Sequence, residues 1–206
     1  MQNGKSRWLE TLGENFVRRI GLKPGQTVVD FGCSQGNYSI PAAKVVGNTG
    51  RVYALDRDRE ALRELAKLKD ADGLSNVIPI LIAKDQQIPL HDCSADVVLL
   101  YDVFHRAYLP EMAERQRLLQ RLYRIVKPRG QLSCYPTHMR KYGLTVRQVL
   151  AETEKAGFEL REEHRRRLLH DNVFVRGRVF EFMKNAARDN CVSQEVAQGP
   201  QLNSIG

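Results

Sequence analysis

The most informative part of the sequence is VVDFGCSQGNYS, residues 28–39. The β-branched run at 27–31 predicts a buried strand, and a tight loop with Gly32 and Gly36 follows it. Asp56 ends the next apolar run, 20 residues beyond Gly36. In a doubly wound sheet such a loop lies at the carboxyl end of the first strand, and a carboxylate at this spacing binds two ribose hydroxyls. The segment therefore predicts a nucleoside-binding loop.

Helical and strand patterns alternate along the rest of the chain. Apolar residues recur every four positions from Trp8 to Ile20, which predicts an amphipathic N-terminal helix. Further helices are predicted at 38–46, 59–69, 111–126 and 145–156, and strands at 27–31, 51–55, 77–82, 95–101, 131–135, 158–163 and 178–184. The pattern predicts an α/β fold with a doubly wound, Rossmann-like sheet of about seven strands and helices on both faces. The sheet is expected to be mostly parallel, with an antiparallel edge strand.

Composition and length indicate one globular domain. The chain has 206 residues, of which 42% are hydrophobic and 27% charged. We expect a domain over residues 1–184, including the N-terminal helix, and a flexible tail over 185–206, where the apolar periodicity ends. No apolar run reaches the roughly 20 residues of a membrane span, and the N-terminus lacks the apolar core of a signal peptide. The cysteines show neither disulfide-scaffold nor metal spacing, which favours a cytoplasmic location; they are Cys33, Cys93, Cys134 and Cys191.

Three details of the first loop narrow the choice of ligand. The dinucleotide pattern Gly-x-Gly-x-x-Gly is absent, and so is the Lys-Ser/Thr ending of a triphosphate-binding loop. Asp30, two residues before Gly32, would repel a pyrophosphate but can hold a cationic amine. The ligand therefore needs a ribose, a positive amino group and no phosphate, and S-adenosylmethionine meets these conditions.

With these residues in place, the sequence resembles the class I S-adenosylmethionine-dependent methyltransferases, and most of all their small-molecule, ubiquinone/menaquinone-methylase-like group. The resemblance covers roughly residues 7–184. The family's Asp-x-Gly-x-Gly-x-Gly motif is matched by Asp30, Gly32 and Gly36, with Ser34 in place of the middle glycine. Later motifs are matched in order by Asp56, by Asp85 in AKDQQIPL, by DVVLLYDVFH at 96–105 and by RIVKPRGQL at 124–132.

The resemblance implies a set of cofactor contacts. The loop from Asp30 to Gly36, which includes Cys33, is expected at the methionine part of S-adenosylmethionine, and Asp56 at the ribose. Arg57 is expected on the adenine face, and Asp85 and Gln86 at the adenine edge. Tyr101 is the predicted contact at the end of the fourth strand. The product would be S-adenosylhomocysteine.

Residues after the fourth and fifth strands are expected to face the methyl acceptor. His105 is the first candidate for a general base, because the unperturbed imidazole pKa lies near neutrality, and His138 is the second. Asp102 is expected either to bind the methionine end of the donor or to cap a helix.

The net charge of +8 is concentrated in one segment. Residues 106–147 contain ten basic and two acidic side chains, whereas the rest of the chain is balanced. Arg106, Arg140 and Lys141 are the basic residues there that an anionic acceptor could meet. The sequence therefore favours a small, polycyclic or anionic acceptor; nucleic acid remains an alternative that only the basic charge supports.

The alternatives to a small-molecule methyltransferase come from different classes. A non-catalytic module that binds S-adenosylmethionine would retain the same loop, and Ser34 and the absence of an assured base allow it. An NAD-dependent oxidoreductase is disfavoured by the missing glycine pattern. An Asn/Asp-Pro-Pro-Tyr turn, typical of methylation at exocyclic or amide nitrogen, is absent at 99–103. No metal is expected, and the sequence leaves the acceptor and the oligomeric state open.

Overall fold

Seven strands form a single sheet in the computed structural model, which describes residues 4–83, 87–137, 139, 141 and 143–185. The strands are β1 (Thr27–Phe31), β2 (Arg51–Asp56), β3 (Val77–Leu81), β4 (Ala95–Tyr101), β5 (Val126–Tyr135), β6 (Phe158–His170) and β7 (Val173–Lys184). Their order across the sheet is β3-β2-β1-β4-β5-β7-β6. Strands β1 to β5 pair in parallel, whereas β7 runs antiparallel to both β5 and β6. The predicted sheet is confirmed.

Helical segments cover both faces of this sheet. They are α1 (Gly4–Arg7), a π-helical segment (Trp8–Leu12), α2 (Gly13–Arg19), α3 (Ser39–Val46), α4 (Arg59–Ala71), α5 (Met112–Ile125) and α6 (Val146–Lys155). Side chains of α2, α3 and α4 pack on one face, and those of α5 and α6 on the other. Successive residues of β4 alternate between the two cores, as Val97 and Val98 do, because side chains of a strand point to opposite faces.

The N-terminal helix is anchored to the loop that follows β1. The Trp8 indole Nε1–H donates a hydrogen bond of 2.6 Å to the Asn37 carbonyl, and Lys5 Nζ donates to Gln35 Oε1 at 2.7 Å. The Trp8 ring also packs edge-on against Tyr38, with ring centroids 5.4 Å apart. The predicted apolar face of this helix is confirmed, with a π-helical segment within it.

Strands β6 and β7 form a hairpin much longer than the sequence predicted. The expected strands 158–163 and 178–184 extend to His170 and back from Val173. Asp171 and Asn172 join them with φ of 47° and 62°, the conformation of a two-residue type I′ turn. The prediction missed this turn because neither residue is glycine, the strongest signal for a left-handed position.

The hairpin tip lies at the carboxyl edge of the sheet. Tyr38 Oη donates to the Leu169 carbonyl at 2.9 Å, and Phe174 packs against Trp8 at 6.3 Å between ring centroids. The hairpin and the N-terminal helix therefore meet beside the loop after β1. None of the helices in the described ranges is long and apolar enough to cross a membrane.

The predicted tail begins at 185, and residues 186–206 lie outside the described residues. The predicted tail and the domain boundary at 184 therefore stay predictions.

Candidate active site at the carboxyl edge of the sheet

The loop after β1 requires glycine at two positions. Gly32 and Gly36 have φ of 77° and 85°, in the left-handed region that side chains disfavour. A Cβ at Gly32 would lie 2.3 Å from Val103 Cγ2, and one at Gly36 would lie 2.3 Å from Leu65 Cδ1. Close packing and backbone conformation together explain both glycines of the motif.

Ser34, at the position of the middle motif glycine, has a backbone conformation that glycine favours. Its φ is 48°, also left-handed, and its backbone N–H donates to Asp56 Oδ2 at 2.7 Å. The serine therefore adopts a left-handed conformation within the loop, at the energetic cost of a Cβ in a left-handed residue.

Asp56 connects the first loop with the turn after β2. One carboxylate oxygen accepts the Ser34 N–H, and the other accepts the Asp58 N–H at 2.9 Å. Each carboxylate oxygen has two lone pairs, so both can accept a further hydrogen bond from a ligand hydroxyl. This geometry fits the predicted role of Asp56 at a ribose.

Asp30 is a buried carboxyl group with a raised pKa. Its Oδ2 accepts a hydrogen bond of 2.6 Å from Ser39 Oγ. Burial raises the pKa of Asp30 from 3.8 to about 7; the Ser39 hydrogen bond opposes the rise and the charge of Asp56 adds to it. A cationic group beside this pair of carboxyls would compensate the cost of ionising Asp30.

Cys33 packs beneath the same loop. It is buried, and burial raises the pKa of its thiol well above the ordinary value, with further contributions from the Asp30 and Asp56 charges. A thiol held protonated in this way is a poor nucleophile.

An open groove of 530 Å³ lies where the purine was expected. Its lining comes from the turn after β2 and the end of β3: Arg57, Asp58, Arg59, Leu81, Ile82 and Ala83. The predicted adenine contacts Asp85 and Gln86, two and three positions beyond Ala83 in the chain, lie outside the described residues.

Arg57, predicted on the adenine face, stacks on an aromatic ring in the structure. Its guanidinium carbon lies 4.1 Å from the ring centroid of Tyr108, which follows β4. This cation–π contact joins the rim of the groove to the segment beyond β4. Arg57 nevertheless lines the groove, so its predicted cofactor contact stays a prediction.

Tyr101 is placed in the core. It is 4% exposed and its hydroxyl shares a 2.6 Å hydrogen bond with Ser133 Oγ. Its ring packs edge-on against Tyr38, with centroids 4.6 Å apart. The structure thus shows Tyr101 supporting the wall behind the first loop, and its predicted direct contact with the cofactor stays untested.

A second polar cluster lies at the ends of β4 and β5. Asp102 has a left-handed φ of 59°, and its backbone N–H donates to the Tyr135 carbonyl at 3.0 Å. Its carboxylate accepts a hydrogen bond from Thr137 Oγ1 and lies 2.9 Å from His170 Nδ1. Non-glycine residues with this backbone conformation concentrate at functional sites.

His105, the predicted base, lies at the edge of this cluster. Its Nδ1 accepts the backbone N–H of Tyr108 at 3.3 Å, so the neutral ring carries its proton on Nε2. That nitrogen lies 3.8 Å from Asp102 Oδ1. The arrangement favours His105 as a hydrogen-bond donor. The second predicted base, His138, lies outside the described residues.

His170 is a member of the cluster that the sequence analysis missed. It ends β6, 68 positions after Asp102, and reaches the site only because the hairpin is long. Recognition of the Asp171–Asn172 turn would have placed its side chain at the carboxyl edge.

Part of the basic segment serves the fold. Arg115 is 2% exposed and forms a bidentate ion pair with Glu152, and Lys127 pairs with Asp96 at 2.8 Å. Arg106 is exposed and its guanidinium lies beside Gly143, with Nη1 3.6 Å from the position that a Cβ of residue 143 would occupy. The predicted anionic acceptor thus depends on fewer basic residues than the count suggested, and the predicted Arg140 lies outside the described residues.

No metal centre is evident in the part of the chain that the structure describes, where no three His, Cys, Asp or Glu side chains are arranged to hold an ion.

Comparisons with known proteins point to one enzyme family. A family model described as a methyltransferase domain matches residues 29–134. A demethylmenaquinone methyltransferase of Oceanobacillus iheyensis is 29% identical over 124 residues, which are 60% of this chain and 50% of that protein. A probable cobalt-precorrin-6B C(15)-methyltransferase (decarboxylating) of Saccharolobus solfataricus is 23% identical over 143 residues, 69% of this chain and 66% of that protein. The chain thus spans about half the length of the demethylmenaquinone methyltransferases that it matches.

A solved structure supports the same family. A SAM-dependent methyltransferase from Aquifex aeolicus superposes with a TM-score of 0.70 and 25% identity, over 86% of this chain and 92% of that one.

We predict that Asp30→Asn makes the ligand-free protein more stable than wild type, and that this gain in stability increases as pH rises. The folded pKa of Asp30, about 7, lies above the roughly 3.9 of an unfolded Asp. The protonated Asp30 carboxyl makes its full contribution to the free energy of unfolding below about pH 4. This contribution is lost as pH rises towards about 7, because residue 30 ionises at a lower pH in the unfolded chain than in the folded protein. The whole loss amounts to about 4 kcal/mol at most.

Thermal unfolding of both proteins between about pH 5 and about pH 8 measures this effect. The melting temperature of the variant minus that of wild type should increase across the range. Asp70→Asn, at an exposed position, serves as the control and should show no such trend. A difference that stays constant for Asp30→Asn would contradict a buried, protonated carboxyl.

We also predict that Ser34→Gly raises the melting temperature by about 2–4 °C, since it removes about 1 kcal/mol of left-handed strain. Ser34→Ala keeps a Cβ at the same φ and is the matched control. Differential scanning calorimetry compares the two, and an equal gain from both variants would show that backbone strain is not the cause.

Proposed function

The chain belongs to the class I S-adenosylmethionine-dependent methyltransferases, and we propose that it transfers a methyl group from S-adenosylmethionine to a small-molecule acceptor. The observation that carries this proposal is the pair Asp30 and Asp56 on neighbouring strand ends, with the left-handed loop between them. A ligand with a ribose and an ammonium group, but no phosphate, is complementary to that pair.

The residues present fit this cofactor. The Asp56 oxygens have lone pairs for two ribose hydroxyls, and the buried Asp30 gains a counter-charge when an ammonium group lies beside it. The groove beside Arg57 and Ile82 offers partly apolar walls to a purine. We propose Asp85 and Gln86 at the purine edge, and Gly32, Cys33, Gly36 and Tyr101 along the methionine part.

The chain's contribution to the reaction is chiefly positioning. When bound, S-adenosylmethionine supplies a methyl group on a positively charged sulfur, which is displaced in line by the acceptor atom. When two reactants are held in contact and aligned, the activation barrier is lowered by about 7–11 kcal/mol in favourable cases. The left-handed loop fixes one reactant, and the segments after β4 and β5 fix the other. The buried wall of Tyr101 and Tyr38 keeps water from the region behind the loop.

The acceptor is proposed to be a small, polycyclic or anionic molecule. The demethylmenaquinone methyltransferases are named for a quinone acceptor, which fits this class. Arg106 and Lys141, both exposed and close in sequence to the ends of β4 and β5, would favour a negative group on the acceptor.

The test of methyl transfer uses the full chain, radiolabelled S-adenosylmethionine and, as the acceptor source, a cell extract that contains both low-mass metabolites and RNA. We expect label in a small-molecule product and unlabelled extract RNA. Binding of the cofactor without any transfer would instead support the non-catalytic binding module, and label in RNA would support the nucleic-acid alternative.

For the cofactor site, we predict that Asp56→Ala weakens S-adenosylmethionine binding at least about tenfold, because it removes charge-assisted hydrogen bonds worth about 1.5–3 kcal/mol. Calorimetric titration measures the dissociation constant. Asp70→Ala removes an exposed carboxylate from the C-terminal turn of α4 and is the matched control. An affinity of Asp56→Ala equal to that of the control would remove Asp56 from the ribose site.

A further inference from the structure

We propose that His170, oriented by Asp102, is the base that takes the proton of the methyl acceptor, and that the acceptor is therefore a weakly acidic hydroxyl compound. This inference rests on the proposed methyl transfer and adds to it a residue and a substrate class. It starts from one contact, the 2.9 Å between His170 Nδ1 and Asp102 Oδ2.

The contact defines which nitrogen of His170 is basic. A carboxylate oxygen only accepts hydrogen bonds, and Asp102 lies closer to Nδ1, at 2.9 Å, than the exposed Asp171 lies to Nε2, at 3.4 Å. The neutral ring therefore places its proton on Nδ1 and its lone pair on Nε2. The second oxygen of Asp102 accepts the Thr137 hydroxyl, which keeps the carboxylate from rotating away. A histidine whose Nδ1–H is held by a carboxylate has the tautomer that a general base needs, and the carboxylate stabilises the imidazolium that forms.

The neighbouring histidine has the opposite arrangement. The Tyr108 N–H is shared between His105 Nδ1 at 3.3 Å and the His105 carbonyl at 3.2 Å, so the lone pair of Nδ1 faces the backbone. Of these two histidines, His170 is therefore the one whose tautomer suits proton removal.

The surroundings of His170 are negatively charged and sheltered. Its side chain is 12% exposed. Two carboxylates face its ring, those of Asp102 and Asp171, the latter with Oδ2 at 3.4 Å from Nε2. Asp171 is 85% exposed, so its carboxylate can stay in solvent while an acceptor approaches Nε2. The charge of Asp102 also acts on Tyr135, whose pKa is raised to about 12, first by burial and then by that charge.

The proposed step balances as follows. The acceptor O–H proton moves to His170 Nε2 while the oxygen forms a bond to the methyl carbon. The bond between that carbon and sulfur breaks, and its electron pair stays on sulfur, which becomes a neutral thioether. The proton then leaves the imidazolium for solvent. A base of this kind helps most when the acceptor must lose a proton as it reacts, as a phenolic hydroxyl does.

The tautomer of His170 is the first test and needs no substrate. Nitrogen-15 chemical shifts of the imidazoles in the full-length protein distinguish a protonated Nδ1 from a protonated Nε2. We expect Nδ1–H in wild type, loss of that preference in Asp102→Asn, and the wild-type tautomer in Asp171→Asn. A His170 ring protonated on Nε2 in neutral wild-type protein would overturn the proposal.

The second test measures transfer to defined probes, 1,4-naphthohydroquinone as a hydroxyl acceptor and benzylamine as an amine acceptor. We expect the hydroxyl probe to be methylated, and His170→Gln to lower that rate at least about 100-fold, the lower end of general-base effects. The residual rate should rise about tenfold per pH unit, because only acceptor that ionises in solution then reacts. Binding of S-adenosylmethionine should change less than about threefold, which shows that the variant is folded.

His91→Gln, which alters an exposed histidine before β4, is the matched control and should retain the wild-type rate. A His170→Gln rate within about threefold of this control would overturn the role of His170. Methylation of benzylamine without methylation of the hydroxyl probe would overturn the proposed substrate class. If wild type binds S-adenosylmethionine but methylates neither the probes nor any extract component, the proposed methyl transfer itself fails.

Discussion

The carboxylate of Asp56 holds together the part of the molecule on which the site depends. By accepting the Ser34 N–H it fixes the middle of a loop whose residues at 32, 34 and 36 are all left-handed. The loop start is fixed as well, since Gly32 and Cys33 donate to the Leu55 carbonyl at 2.8 and 3.0 Å. One side chain and one carbonyl of β2 thereby bring the ends of β1 and β2 together and leave the buried Asp30 beside them. The N-terminal helix then closes the loop from outside through Trp8 and Lys5.

A second structural unit, the β6–β7 hairpin, completes the site from the opposite end of the sequence. Its length brings His170 to the end of β4, and the Tyr38–Leu169 hydrogen bond connects it to the helix that follows the first loop. The proposed cofactor region and the proposed acceptor region therefore share a wall of aromatic side chains. Tyr101, which is predicted at the ligand, is observed as a buried part of this wall.

The sequence predicted features that are set by local chemistry. Strands β1 to β4, the two glycines and the acidic residue that ends β2 follow from short-range patterns, and the observed sheet confirms the fold they imply. The left-handed φ of Ser34 could be inferred only from the motif, because serine itself does not favour it. The cluster of Asp102, Thr137 and His170 could not be predicted, since it depends on contacts between distant segments and on a turn without glycine.

We propose that two carboxyls on neighbouring strand ends select a nucleoside with an ammonium group and without phosphate. Calorimetric titration of the full chain with S-adenosylmethionine and, separately, with NAD measures this selection. We predict saturable binding of S-adenosylmethionine and no binding of NAD up to millimolar concentration. Binding of NAD without binding of S-adenosylmethionine would contradict the claim.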